Sequence, residues 1–267
     1  MAAKKHSPSA VPSTRLAALN QGTVESRNLA EGLAIDQQQL LQHTVCHRLT
    51  SSQSAQVLQA AATLSDQGIT RKIAGIATAI QQVLGPNKKA EATLQSLAQH
   101  PSDTVRSWAA YIVGRDPKLN LRDRLLAIRP LAADKHFGVR EWAWMAVRPA
   151  IATEPLPAIG FLTPWVQEAD PNLRRFTIEA TRPRGVWCAH ITQLKETPEP
   201  ARVLLDPLCR DEARYVQDSV ANWLNDASKS RPDWVQQLCK QWQARSPHPE
   251  TERIVRRALR TLNKPRS

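Results

Sequence analysis

Five stretches of this chain repeat one pattern, and the distance between them limits the fold more than any other feature. SDTVRSWAAYIVG, KHFGVREWAWMAVRP, DPNLRRFTIEATRP, ARYVQDSVANWLND and ERIVRRALRTL each place an aliphatic residue before Arg or Gln and follow it with an Ala-rich apolar stripe. The aliphatic anchors are Val105, Val139, Leu173, Val216 and Val255, spaced by 34, 34, 43 and 39 residues. Two helices and two turns fit that period. One helical pair cannot bury its own apolar face, so neighbouring pairs must stack to make a core. The same 34-residue shift carries VRP at 147–149 onto TRP at 181–183.

Composition agrees with helices. Only 9 Gly and 2 Tyr occur, while 19 Pro suit the turns between many short helices. The expected fold class is therefore all-α, a HEAT-like helical-pair solenoid whose second helices line a concave basic groove. The polar, Pro/Ser-rich start reads as a disordered arm over residues 1–18. Residues 19–267 read as a single repeat domain, clearest over 100–262. Within it, NLAEGLAIDQQQLLQHTV, SAQVLQAAATL and RKIAGIATAIQQVLG carry helical periodicity, with Gly85-Pro86 as a stop. Trp108, Trp142, Trp165, Trp223, Trp234 and Trp242 sit on apolar stripes and are expected in the core. Cys46, Cys188, Cys209 and Cys239 are spread singly, which fits reduced thiols and neither zinc nor redox pairing. No apolar run reaches a membrane span and no secretory segment follows the start, so a soluble cytoplasmic protein is expected.

The formal charge of +12 attracts polyanions, and dispersed basic residues favour nucleic acid over a membrane surface. Within that basic chain, Glu179 lies six residues after Leu173 and Asp226 ten after Val216. Positions six and ten share one row of a helix surface, and Glu141, at position two of the preceding repeat, continues it. Arg140, Arg148, Arg174, Arg175, Arg182, Arg184, Lys229 and Arg231 stand nearby in sequence. Two readings of the acids stay open on these residues. In one they are structural: Glu179 pairs with Arg182 or Arg148, and Asp226 caps a turn before Lys229. In the other they stabilise a developing sugar cation or orient water beside DNA.

RRFTIEATRPRGVW, followed by YVQDSVANWLNDASKSRPDWV, resembles the signature of the AlkC branch of DNA alkylation-repeat proteins. LNQGTVESRNLAEGLAID resembles the N-terminal helices of that branch. The resemblance covers the chain from about Leu19 to its end, and its SVANxLND-x-x-K-x-x-P core is specific. It implies a monofunctional DNA glycosylase of base excision repair that removes cationic alkylated bases such as N3-methyladenine. It further implies a monomer acting on double-stranded DNA in the bacterial cytoplasm, at the nucleoid, with no cofactor and no metal. Carried over by motif, Glu179 and Asp226 are the catalytic carboxylates, and Arg148, Arg174, Arg182, Arg184, Trp187, Lys229 and Arg231 are expected at the DNA. One position departs from the pattern. An acid is expected four residues before the Arg-Pro of the preceding repeat, and Trp144 stands there, with Glu141 almost a turn earlier. Trp144 either stacks on a base or fills the core. The departure keeps open a non-catalytic DNA-structure binder of the same fold; a HEAT scaffold for acidic protein partners is a further alternative. Some relatives carry an added β-sandwich-like C-terminal domain. None is expected here, because the chain ends at NKPRS soon after its last helix.

Overall fold

A computed structural model describes residues 11–86, 88–185 and 187–264. Among the described residues there is no strand. The helices, in chain order, are α1 (Ser13–Asn20), α2 (Leu29–Ala34), α3 (Gln37–Thr44), α4 (Ser51–Thr63), α5 (Ile69–Leu84), α6 (Lys88–Ala98), α7 (Asp103–Gly114) and α8 (Leu121–Ala132). They continue as α9 (Phe137–Thr153), α10 (Pro155–Leu162), α11 (Pro171–Ala180), α12 (Thr192–Glu196), α13 (Arg202–Leu205), α14 (Arg214–Ser228), α15 (Pro232–Arg245) and α16 (Pro249–Ala258), with a 3-10 turn at Leu259–Thr261. Of the expected arm, residues 1–10 lie outside the described residues, and α1 already begins at Ser13. None of the described helices is long and apolar enough to cross a membrane.

The stretch read as one domain divides into two compact units. The first takes the chain up to Val113 together with His136–Trp142; the second takes Gly114–Lys135 and the chain from Ala143 onward. In the first, α4 starts with a reciprocal capping box between Thr50 and Gln53. Helix α5 buries Ile73, Ile76, Ala77 and Ile80 and ends, as expected, at Gly85, whose φ of 61° suits glycine. A buried polar node joins α7 to the loop before α2. Asp103 accepts from the Ser26 N–H at 2.8 Å and from Ser26 Oγ at 2.7 Å, and His136 Nε2 lies 2.7 Å from the Ser26 carbonyl oxygen.

The five repeat anchors are all buried. Val105, Val139, Leu173 and Val216 each occupy the third residue of their helix, in α7, α9, α11 and α14. The polar residue after the anchor has a repeated task. Arg106 donates to the carbonyls of His100 and Pro101, Arg174 to those of Glu168 and Ala169, and Gln217 to those of Asp211 and Glu212. In each case the side chain turns back five and six residues and ties down the turn leading into its own helix. Arg174 also pairs with Asp211 at 2.6 Å. Arg174, expected at the DNA, thus makes these hydrogen bonds within the scaffold.

In the second unit, Trp165, Trp223 and Trp242 are buried and Trp234 is half-buried; in the first, Trp108 is buried and Trp142 half-buried. Cys209 and Cys239 are buried, Cys46 and Cys188 half-buried, and all four are free thiols; burial pushes the Cys239 thiol up to about 12. Proline departs from its expected use, since Pro130 and Pro149 lie inside α8 and α9. Because α9 runs on through Pro149, Arg148 falls within a helix and only 2% of it is exposed. Its guanidinium donates to the carbonyls of Ala180 at 3.2 Å, Arg182 at 2.5 Å and Ala189 at 3.1 Å, with Glu179 O at 3.5 Å. Arg148, one of the arginines expected at the DNA, therefore caps the C-terminal end of α11. Helix-end carbonyls need such donors, because no intrahelical N–H remains to serve them.

Two outcomes follow for thermal or denaturant unfolding. Arg148→Met, which strands several buried carbonyls, is expected to cost about 3 kcal/mol or more. Gln217→Leu keeps the volume but leaves the Asp211 carbonyl unserved, and is expected to cost about 1–3 kcal/mol.

Candidate active site

Helix α11 packs against α14, and the two expected carboxylates stand near the C-terminal ends of these helices. The register is set by Trp223, whose Nε1–H donates to the Thr181 carbonyl at 3.0 Å. Asp170 caps the start of α11 by accepting from the Asn172 N–H, with Pro171 in the first helical turn. Asp211 accepts from the Ala213 N–H in the turn that leads into α14, whose own N-cap, Ala213, has no side-chain bond.

Arg182 joins the two acids. It follows the last turn of α11, and its Nη1 donates to Glu179 Oε2 at 3.1 Å. Its Nε and Nη2 both donate to Asp226 Oδ2, at 2.9 and 2.7 Å. One guanidinium thus brings together carboxylates 47 residues apart in sequence from two helices. Burial acts to lower the pKa of Arg182, but Glu179 and Asp226 outweigh it and raise the pKa. The remaining carboxylate oxygens also face cations. Glu179 Oε1 lies 3.7 Å from Arg175 Nη2, and Asp226 Oδ1 lies 3.3 Å from Lys229 Nζ. Arg175 in turn lies over the Tyr215 ring, 4.1 Å from its centroid. Only 3% of Glu179 and 6% of Asp226 is exposed.

The expected site residues thus separate by what they touch. Glu179, Asp226, Arg182 and Lys229 form one cluster. Arg184 adjoins it: its Nε donates to the Asp226 carbonyl at 3.2 Å and its Nη2 to Ser230 Oγ at 2.6 Å. Trp187 is 66% exposed in the loop that follows Arg184. That loop is closed by the Ile191 N–H on the Pro183 carbonyl and by Arg148 on Ala189. Any Cβ at Gly185 would collide with Cys188. Arg231 belongs elsewhere. It is paired with Glu199 at 2.6 Å and bonded to the Glu196 carbonyl, so it ties the start of α15 to the end of α12 and the segment after it. Trp144 is 5% exposed, which leaves no open ring face for a base. Glu141 is half-buried on the part of α9 that belongs to the first unit.

Three residues of this region were outside the expected set: Arg175, on the far oxygen of Glu179, and Asn222 and Arg260, bonded to each other at 2.9 Å. Arg175 follows Arg174 directly, and an i,i+4 spacing to Glu179 was the available signal. Arg260 stands five residues after Val255, where the other repeats carry Ala110, Trp144, Ile178 and Ala221, so the pattern gave no sign of a cation there.

No protein-family model matches the sequence. YhaZ, an uncharacterized protein of Bacillus subtilis (strain 168), is 36% identical over 138 residues, which span 52% of this chain and 37% of YhaZ. The match therefore spans little more than a third of that curated relative. Among solved structures, the Pseudomonas fluorescens alkylpurine DNA glycosylase AlkC, bound to DNA containing an abasic site analogue, superposes with a TM-score of 0.66 at 26% identity. That alignment covers 83% of this chain and 62% of AlkC. AlkD2 from Streptococcus mutans gives a TM-score of 0.61 at 21% identity over 78% of this chain and all of AlkD2. The protein smu.31 from Streptococcus mutans UA159 gives 0.59 at 23% over 75% of this chain and 96% of its own. The all-helical repeat fold of this chain is thus similar to that of the AlkC and AlkD2 structures.

Proposed function

We propose that this chain is a monofunctional DNA glycosylase that excises cationic alkylated bases, N3-methyladenine among them, from double-stranded DNA. The observation that supports this most is the joining of Glu179 and Asp226 through Arg182, in a chain whose fold matches a glycosylase bound to DNA. An alkylated base that carries positive charge leaves as a neutral molecule, so no general acid is needed to protonate it. What remains is to stabilise oxocarbenium-like charge on the sugar and to place the attacking water, and fixed carboxylates suit both tasks.

The cations around the acids have distinct parts in this proposal. Arg182 sets the geometry: it bonds both acids, and its side chain is 16% exposed. Lys229 holds Asp226 Oδ1 by one contact at 3.3 Å and its side chain is 43% exposed. A phosphate drawn up to the site competes for Lys229 far more easily than for Arg182, and its departure bares a carboxylate oxygen toward the sugar. Arg184 binds only neutral oxygens, so its charge is available to a phosphate. Trp187 supplies an exposed ring beside these groups for stacking or for packing against a deoxyribose.

One observation favours a second reading, a DNA-structure binder without glycosylase activity. All four oxygens of the carboxylate pair face cations, as in a purely structural ion network. Incubation with methylated DNA and chromatography of the freed bases separates the two. Base release is expected. Salt-dependent DNA binding with no release would favour the second reading.

The variants sharpen the test. Asp226→Asn and Glu179→Gln are each expected to lower excision by about a hundredfold or more while DNA affinity holds or rises. The amide keeps a hydrogen-bond acceptor for Arg182 but removes the charge that steadies the sugar cation and repels phosphate. Folded variants that excise at near wild-type rate would end the catalytic assignment. If the pair is structural, the main effect of either change is a lost buried ion-pair partner, at about 3–5 kcal/mol of stability.

A further inference from the structure

Asp226 shares α14 with two asparagines that the carboxylate chemistry leaves unused. Asn222 stands one helical turn before Asp226, on the same face. Asn225 is buried and clamps the end of α16. Its Nδ2 donates to the Ala258 carbonyl and to Thr261 Oγ1, both at 2.9 Å, and its Oδ1 accepts from Thr261 Oγ1 at 3.2 Å. These bonds fix the turn Leu259–Thr261, and with it the backbone of Arg260. The Arg260 side chain is then held from α14 as well: its Nη2 donates to Asn222 Oδ1 at 2.9 Å and its Nη1 to the Arg257 carbonyl at 2.7 Å.

This guanidinium differs from the one at Arg182. Both of its acceptors are neutral oxygens, so no bound carboxylate offsets its charge, and the residue is exposed. A guanidinium has five N–H groups; with two bonded, three remain in a planar fork suited to a phosphate. Because Asn222 and Asp226 stand one turn apart on α14, the bond from Arg260 to Asn222 brings this guanidinium to the side of the helix that carries Asp226. Burial, then Arg257, lower its pKa, yet an arginine stays protonated at any physiological pH.

We propose that Arg260 is a phosphate-binding fork for duplex DNA, held ready beside Asp226 by Asn222 and Asn225. With Arg184, it gives the site two guanidinium groups bonded only to neutral oxygens. The polar residues of SVANWLND then act together, with half-buried Asn222 and buried Asn225 positioning a cation next to the acid they accompany. This rests on the DNA-binding part of the function proposed above and not on base release.

The test uses the full chain and an unmodified duplex oligonucleotide, with affinity measured across a series of KCl concentrations. Arg260→Ala is expected to weaken binding and to reduce the slope of log affinity against log salt by roughly one unit. Asn222→Ala, which keeps the charge but releases the fork, is expected to weaken binding with the slope unchanged. Should Arg260→Ala melt well below wild type, Arg260→Gln carries the same slope comparison, because its amide can keep the bond to α14. A wild-type slope in the folded Arg260 variant overturns the proposal, and so does the absence of salt-dependent duplex binding in the wild type. Base release from methylated DNA, measured in parallel, keeps the two readings apart. A protein that releases no base, yet loses slope with Arg260→Ala, sinks the glycosylase reading and upholds this one.

Discussion

The second unit depends on a guanidinium that water hardly reaches. Arg148 places its donors on the carbonyl groups at the end of α11 and on the loop beyond it, and a buried carbonyl at a helix end needs such a donor. Half of the candidate site hangs from that end of α11, the rest from α14. Glu179 is in its last turn, Arg182 leaves from it, and the loop that presents Arg184 and Trp187 is pinned by the same side chain. A cation usually signals a surface. Here the dipoles of several carbonyls replace its hydration, and the fork geometry of arginine lets one residue serve them all.

Arg148 and Arg182 are the same residue of consecutive Arg-Pro motifs, and the difference between them makes the site. Helix α9 continues through Pro149, so its arginine points into the core and meets main-chain oxygen. Helix α11 stops before Pro183, so its arginine emerges at the helix end and meets the carboxylate of the next repeat. A change of helix length at one repeat thus turns a scaffold contact into an ion bridge between two acids. The same bridge explains why acids are tolerated in so basic a chain. A carboxylate pair facing phosphates would be repelled if bare, whereas a pair offset by Arg182, Lys229 and Arg175 presents no net negative face to an approaching backbone.

The period and the anchors were readable from the sequence because they express burial, and burial follows side-chain type. Val105, Val139, Leu173 and Val216 could be aligned by their apolar neighbours alone, and each indeed begins its helix at the same register. The paired acids were readable too, since their helical row could be counted from those anchors. The roles of the arginines were not. Arg148, Arg174, Arg184 and Arg231 look alike as letters, and what separates them is the nearest oxygen: a buried carbonyl, a linker carbonyl with Asp211, neutral oxygens near the surface, or Glu199. That oxygen belongs to a distant part of the chain, so no local pattern announces it. Trp144 shows the same limit, because whether a tryptophan stacks or fills depends on which neighbours cover it.

A site for sugar-cation chemistry needs carboxylates that do not move as charge develops, since reorganisation at that moment would cost the stabilisation they provide. Helix ends meet this need better than loops. Glu179 and Asp226 are carried by helices whose starts are set by the Asp170 cap and by the Asp211 turn, locked together by Trp223 on Thr181, and bridged by one guanidinium. Outside that rigid frame stand Lys229, on a flexible four-carbon stem, and Trp187, in a surface loop, the groups that the proposed function assigns to the DNA. Rigid acids and adjustable cations are thus divided between secondary structure and its margins. Under the proposed function, such a division would let DNA be gripped without regard to sequence while the reacting sugar meets a fixed field.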